Sequence, residues 1–157
     1  LFRSPIRTTT VLWVPPTPDP RVSPGVKGPD LPLLADLRGR AQTHGADDAV
    51  LYSADGLVVE GANCALAWWE DGGFMVPDHP RRLPSVTVAA HAQMCGAPGT
   101  RPITLADLQG YPVWAGSALH GWTEVSAWIT SRGERIPAVV GDTPIGTEFA
   151  NTLLRWN

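Results

Sequence analysis

Between Pro15 and Pro29 the chain carries six prolines in fifteen residues, and this stretch constrains the fold more than any other. Proline lacks an amide hydrogen and has a fixed φ, so the segment cannot take up regular ladder bonding. The run before it, residues 8–14 (Thr-Thr-Thr-Val-Leu-Trp-Val), is β-branched and aromatic and reads as a strand. The expected organisation is an N-terminal strand and proline-rich connector over residues 1–26, followed by a domain over residues 27–157. Such a connector commonly joins two domains, and it ends at Lys27, the only lysine of the chain. A residue at that kind of junction often borders a ligand cleft.

Beyond the connector the punctuation is regular. Asp30 stands as an N-cap before Leu31, Leu34, Leu37 and Ala41 at helical spacing, and Gly45 supplies the stop. Residues 49–52 and 57–60 flank Ser53-Ala54-Asp55-Gly56, and residues 65–70 and 74–76 flank Asp71-Gly72-Gly73; both read as hairpins. Residues 86–95 read as a helix, and Thr104 with Asp107 resembles a capping box. Residues 111–115 and 122–129 read as strands, and a terminal helix is expected from Pro144 or Ile145 to Trp156. Hairpins with helices inserted between them predict an α+β domain with a mixed or antiparallel sheet.

Composition narrows the function classes. Apolar residues at 43% with 17% charged describe a globular chain. A net charge of −3 gives no electrostatic reason to expect nucleic acid or an anionic membrane as partner. Two isolated cysteines, Cys64 and Cys95, fit neither a disulfide framework nor a zinc knuckle, and the expectation is reduced thiols in a cytoplasmic protein. No apolar run approaches the ~20 residues of a membrane span. His79 and His91 have no partner at ligand spacing, so no metal site is expected. Phosphate-loop, dinucleotide and nucleophile-elbow motifs are missing.

What remains is one amine, one carboxylate and two small-residue turns: Lys27, Glu60, the corner Leu83-Pro84-Ser85-Val86-Thr87, and Gly116-Ser117-Ala118. Each has an ordinary reading, as a solvated lysine, an edge-strand acid, a helix cap and a plain turn. Together they are the parts a pyridoxal phosphate site needs. An amine forms a Schiff base with the cofactor aldehyde, a carboxylate keeps the pyridine nitrogen protonated, and free amides hold the phosphate. His120, just past the second turn, is close enough to reach a substrate, although an isolated histidine is more often structural. The seven tryptophans read as packing.

The order of these elements, from about Val26 to about Trp128, resembles the class IV aminotransferases, the fold-type IV pyridoxal phosphate enzymes. That family includes branched-chain and D-amino acid aminotransferases and 4-amino-4-deoxychorismate lyases. Val26-Lys27-Gly28-Pro29-Asp30 is similar to its lysine segment, Asp55 to Gly61 to the hairpin ending in its glutamate, and residues 83–87 and 116–118 to its two phosphate turns. The resemblance implies the family's large domain, with Lys27 as catalytic Schiff-base lysine and Glu60 at the pyridine nitrogen. Val86, Thr87, Ser117 and Ala118 would then hold the phosphate of pyridoxal 5'-phosphate. The implied substrate is a small amino acid or an aminodeoxychorismate-like molecule. Ala65, Ser85, Val88 and Pro32 depart from the family's usual asparagine, glycine, arginine and tyrosine. Since 26 residues precede Lys27, too few for the family's small N-terminal domain, the expected partner is a second copy in a homodimer, an N-terminal domain fragment, or both. The competing reading is a truncated homologue without catalysis.

Overall fold

The computed structural model describes residues 6–141, so the helix expected after Pro144 lies outside the described residues. Among these, nine strands and three helices follow one another as β1 (Thr9–Trp13), α1 (Leu31–Thr43), β2 (Asp48–Tyr52), β3 (Val58–Gly61), β4 (Ala65–Glu70), β5 (Gly73–Pro77), α2 (Val86–Cys95), β6 (Gly99–Arg101), α3 (Leu105–Leu108), β7 (Val113–Ser117), β8 (Gly121–Ile129) and β9 (Arg135–Pro137). They form one mixed sheet in the order β3-β2-β1-β8-β7-β4-β5-β6. This is the α+β architecture the hairpin pattern predicts. Parallel pairing of β1 with both β2 and β8 makes the centre of the sheet mixed. One edge of the long strand β8 is shared, by β7 at its start and by β9 at its end.

Alternation along the strands sorts the core onto two faces. Leu12, Val50, Val58, Leu66, Trp68, Val113, Ala115, Val125 and Trp128 form one continuous apolar face with Ile103 and Leu108. Their strand neighbours point the other way, and there the core is divided. Leu37 and Ala41 of α1 cover Trp13, Ala49, Leu51, Val59 and Ile129. Val88 of α2 covers Ala65, Ala67, Phe74, Trp114 and Trp122. Most of these strands are therefore buried on both sides.

Local signals set the helix boundaries. Ser85 accepts a hydrogen bond from the Val88 amide at 3.3 Å and opens α2, a cap worth about 1 kcal/mol. Thr104 does the same for α3 through the Asp107 amide. The strand expected from Tyr111 starts instead at Val113, because the phenol of Tyr111 is drawn into a charged cluster at the sheet edge.

In that cluster Glu70 accepts from Arg101 Nε at 2.9 Å, from Arg101 Nη2 at 3.1 Å, from the Trp68 indole at 2.9 Å and from Tyr111 Oη at 2.9 Å. It clips β6, a three-residue edge strand, to β4. Arg101, assisted by Trp68, holds the Glu70 carboxyl down at about 2, against an ordinary 4.5. A lowered carboxyl contributes stability that is present above its unfolded value and is lost as pH falls through its folded value. We therefore expect Glu70→Gln to lower the urea midpoint at neutral pH, with the gap to wild type closing between pH 4.5 and about 2. Denaturation curves across that range check it.

Candidate functional site

A cavity of about 540 Å³ opens where the two helix-covered halves of the sheet meet. Four segments wall it: residues 25–28 with Leu31 and Leu34 of α1, the β3–β4 connection from Glu60 to Ala65, the corner 83–87, and the β7–β8 turn 116–119. Lys27, Glu60, Val86, Thr87, Ser117 and Ala118 all border it. Residues spread over more than half the chain thus converge on one space.

Lys27 lies exposed at this cavity, on a loop held by a carboxylate. Asp30 sits at the N-cap of α1, but its side chain does not cap the helix. Its two oxygens accept instead from the amides of Val22 at 3.0 Å and Ser23 at 2.8 Å, upstream of the lysine. The expectation of a side-chain cap is corrected accordingly: short acidic side chains serve whichever nearby amides lack a partner, and a proline-rich turn supplies them.

Glu60 is buried at the end of β3. Its Oε1 accepts from Arg21 Nη1 at 2.8 Å and from the Leu83 amide at 3.1 Å. Burial pushes its carboxyl above the ordinary range, against the Leu83 amide and Arg21, which favour the charged form. Next in sequence, Gly61 has no room for a side chain, since a Cβ would collide with Cys64 Sγ and sit 2.9 Å from Asp48 Oδ2. Asp48, buried behind this connection, accepts from the Asn63 amide at 2.9 Å and so fixes the strip between Glu60 and Ala65.

The other two walls offer backbone donors. Val86 and Thr87 begin α2, where the first amides of a helix have no partner within it and the helix dipole is positive. At the second turn a Cβ on Gly116 would lie 2.7 Å from Cζ3 of Trp122, so only glycine lets the strand pass. Ser117 Oγ accepts from the His120 amide at 3.1 Å and closes the turn. His120 itself is not among the lining residues; its Nδ1 accepts from the Arg7 amide at 3.1 Å. That bond accords with the structural reading of an isolated histidine.

Sequence reading missed Arg21, which is 5% exposed. Its guanidinium donates to Asp19 through Nε and Nη2, to Glu60 through Nη1, and to the Arg81 carbonyl through Nη2. Asp19 also accepts from Arg81 Nε at 3.0 Å. The result is an alternating row, Arg81–Asp19–Arg21–Glu60, with the positive and negative charges balanced. No local pattern in Asp19-Pro20-Arg21 signals it, since Glu60 and Arg81 lie 39 and 60 residues downstream of the arginine. Among the described residues no group of three or more His, Cys, Asp or Glu side chains could hold a metal ion, and no helix is long and apolar enough to cross a membrane.

Comparison with known proteins places this geometry in context. The profile of a family described as amino-transferase class IV matches residues 4–128. No curated protein matches the chain. Among solved structures, a Legionella pneumophila protein provisionally assigned as a 4-amino-4-deoxychorismate lyase is 18% identical, with a TM-score of 0.77 over 98% of this chain and 59% of that one. A branched-chain aminotransferase of the thermophilic archaeon Thermoproteus uzoniensis, with norvaline, is 20% identical, at 0.74 over 93% and 50%. A hypothetical aminotransferase from Mycobacterium tuberculosis, with α-ketoglutarate and PMP bound, is 21% identical, at 0.69 over 92% and 53%. The fold is therefore that of these proteins, and the chain spans between 50% and 59% of their length.

Asp30 is the support of the lysine loop that can be tested without any ligand. Asp30→Ala leaves two amides of Val22 and Ser23 without their acceptor, which should cost about 1–3 kcal/mol. Denaturant titration measures that loss, and amide exchange at Val22 and Ser23 should accelerate while exchange in β8 stays slow.

Proposed function

Since the chain belongs to the class IV amino-transferase family, as the match over residues 4–128 establishes, we propose that it is the cofactor-binding part of a pyridoxal 5'-phosphate enzyme, an aminotransferase or an aminodeoxychorismate lyase. One observation carries the reading: the single lysine, the buried glutamate and both amide-bearing turns border the same cavity. A volume of about 540 Å³ suits a cofactor of that size.

The residues fit the group in charge as well as in place. The start of α2, where a helix leaves its first amides without partners, suits a phosphate, because a helix N-terminus favours an anion, and the 116–118 turn borders the same cavity. Glu60 suits the pyridine nitrogen, since Oε1 takes the Arg21 and Leu83 bonds and Oε2 takes none among the described residues. Lys27, the single lysine of the chain, supplies a primary amine exposed at the cavity, with no ion-pair partner among the described residues. When bound, the cofactor supplies an electron sink that stabilises negative charge at a substrate carbon. The chain supplies the rest. Lys27 would hold the cofactor, and its Nζ would carry a proton to and from the substrate carbon. Glu60 would keep the ring nitrogen protonated, and the turns would hold the phosphate end.

Val26, Leu31, Val86 and Leu119 border the cavity and are 54–76% exposed, an apolar rim of the kind that marks a docking surface. The rim supports a partner over the cleft, a small N-terminal domain or a second copy, which completes the substrate site.

The tests follow the roles. Added pyridoxal 5'-phosphate should give a visible absorption band, and borohydride should fix the cofactor on the peptide carrying Lys27. Label found on the N-terminal amine alone would sink the assignment. Glu60→Gln should retain the fold and lower turnover about a hundredfold or more, the scale of other preorganised electrostatic groups, read by steady-state assay beside wild type. Sedimentation should give a dimer or a complex with an N-terminal fragment; a fully active monomer of this chain alone would rule out the companion.

A further inference from the structure

We propose that Arg21 is a positioning residue for Glu60, one that occupies Oε1 and thereby presents Oε2, in ionised form, to the cleft. This rests on the reading of Glu60 as partner of the cofactor's pyridine nitrogen. The geometry is unusually complete for a residue in a proline-rich connector. Nη1 meets Glu60 Oε1 at 2.8 Å, while Nε and Nη2 grip Asp19 at 3.0 and 2.9 Å. Nη2 also donates to the Arg81 carbonyl, and Arg81 Nη2 returns a bond to the Arg21 carbonyl at 2.8 Å. The guanidinium is held at every end, so it cannot rotate to follow Glu60; Glu60 must come to it.

Two consequences bear on the chemistry. First, the Leu83 amide and Arg21 share Oε1, which selects one rotamer of the carboxylate and leaves the second oxygen free. Second, a buried carboxylate without a cation favours its neutral form, and a neutral acid cannot keep a ring nitrogen protonated. Arg21 offsets that tendency, and Asp19 with Arg81 balances Arg21 in turn. Lysine could not do the same, because a single ammonium cannot fork between Asp19 and Glu60 in one plane.

A purely structural role would leave the cofactor's electronic state alone, so the test reads that state. Pyridoxal 5'-phosphate is titrated into the full chain as wild type, Arg21→Lys, Glu60→Gln and the double variant. Absorbance gives the dissociation constant and the pH midpoint of the visible band; circular dichroism reports the fold. We expect Arg21→Lys to weaken binding about tenfold or more, as truncation of a buried charge pair does, and to shift the band's pH midpoint. In the Glu60→Gln background Arg21→Lys should change neither, because coupled residues are not additive. Should Arg21→Lys fail to fold, Asp19→Asn keeps the arginine but loosens its anchor, and should shift the midpoint in the same direction. Equal effects of Arg21→Lys in both backgrounds, or an unchanged midpoint in the folded variant, overturn the proposal and leave the Glu60 reading intact. A wild-type chain that takes up no cofactor overturns both.

Discussion

A segment with six prolines in fifteen residues has few amides to offer a sheet, and the fold holds it by charge. The Arg21 guanidinium is the centre of that arrangement. It joins Asp19 of the connector to Glu60 of β3 and to the backbone before α2, three stretches with no ladder between them. Buried ions are costly unless paired and hydrogen-bonded on all sides. The row Arg81–Asp19–Arg21–Glu60 meets that condition by alternation, with Asp19 and Arg21 almost wholly withdrawn from water. Removing one member would strand its neighbours, a loss of about 3–5 kcal/mol.

From that anchor the cleft is assembled by short-range devices. Asp30 gathers the amides of the turn before Lys27; Ser85 starts α2, whose first residues, Val86 and Thr87, border the cavity. Two glycines, Gly61 and Gly116, allow backbone to pass where any side chain would strike Cys64, Asp48 or Trp122. Each device is ordinary. Their convergence from four separate segments, on a rigid sheet, gives the arrangement its specificity.

What could be read in the sequence was what is decided locally. The bounds of α2 were legible because Pro84-Ser85 marks its start and Gly96 its end, and the hairpins because Asp55-Gly56 and Gly72-Gly73 punctuate them. The α+β class followed. Lys27, Glu60, Val86, Thr87, Ser117 and Ala118 could be named because they belong to short recurring patterns, and the chain folds them onto one cavity; their chemical roles stay with the proposal. What depends on distant partners was hidden. Three-residue strands such as β6 and β9 have no periodicity to detect, and the parallel pairing of β1 with β8 joins residues more than a hundred positions apart. The role of Arg21 was hidden because Glu60 and Arg81 reach it only through the tertiary fold, and Asp30 looked like a helix cap because sequence alone does not show which nearby amides lack a partner.

The division of one face of the sheet has a mechanical side. On the opposite face a single apolar layer runs under every central strand, whereas here α1 and α2 each cover their own half and the cavity interrupts the layer between them. A molecule seated there would border α1, α2 and both strand connections at once, the keystone of a layer the polypeptide leaves open. Its binding energy would then be shared with the cohesion of the two halves, and a filled cleft would be the stiffer across the seam.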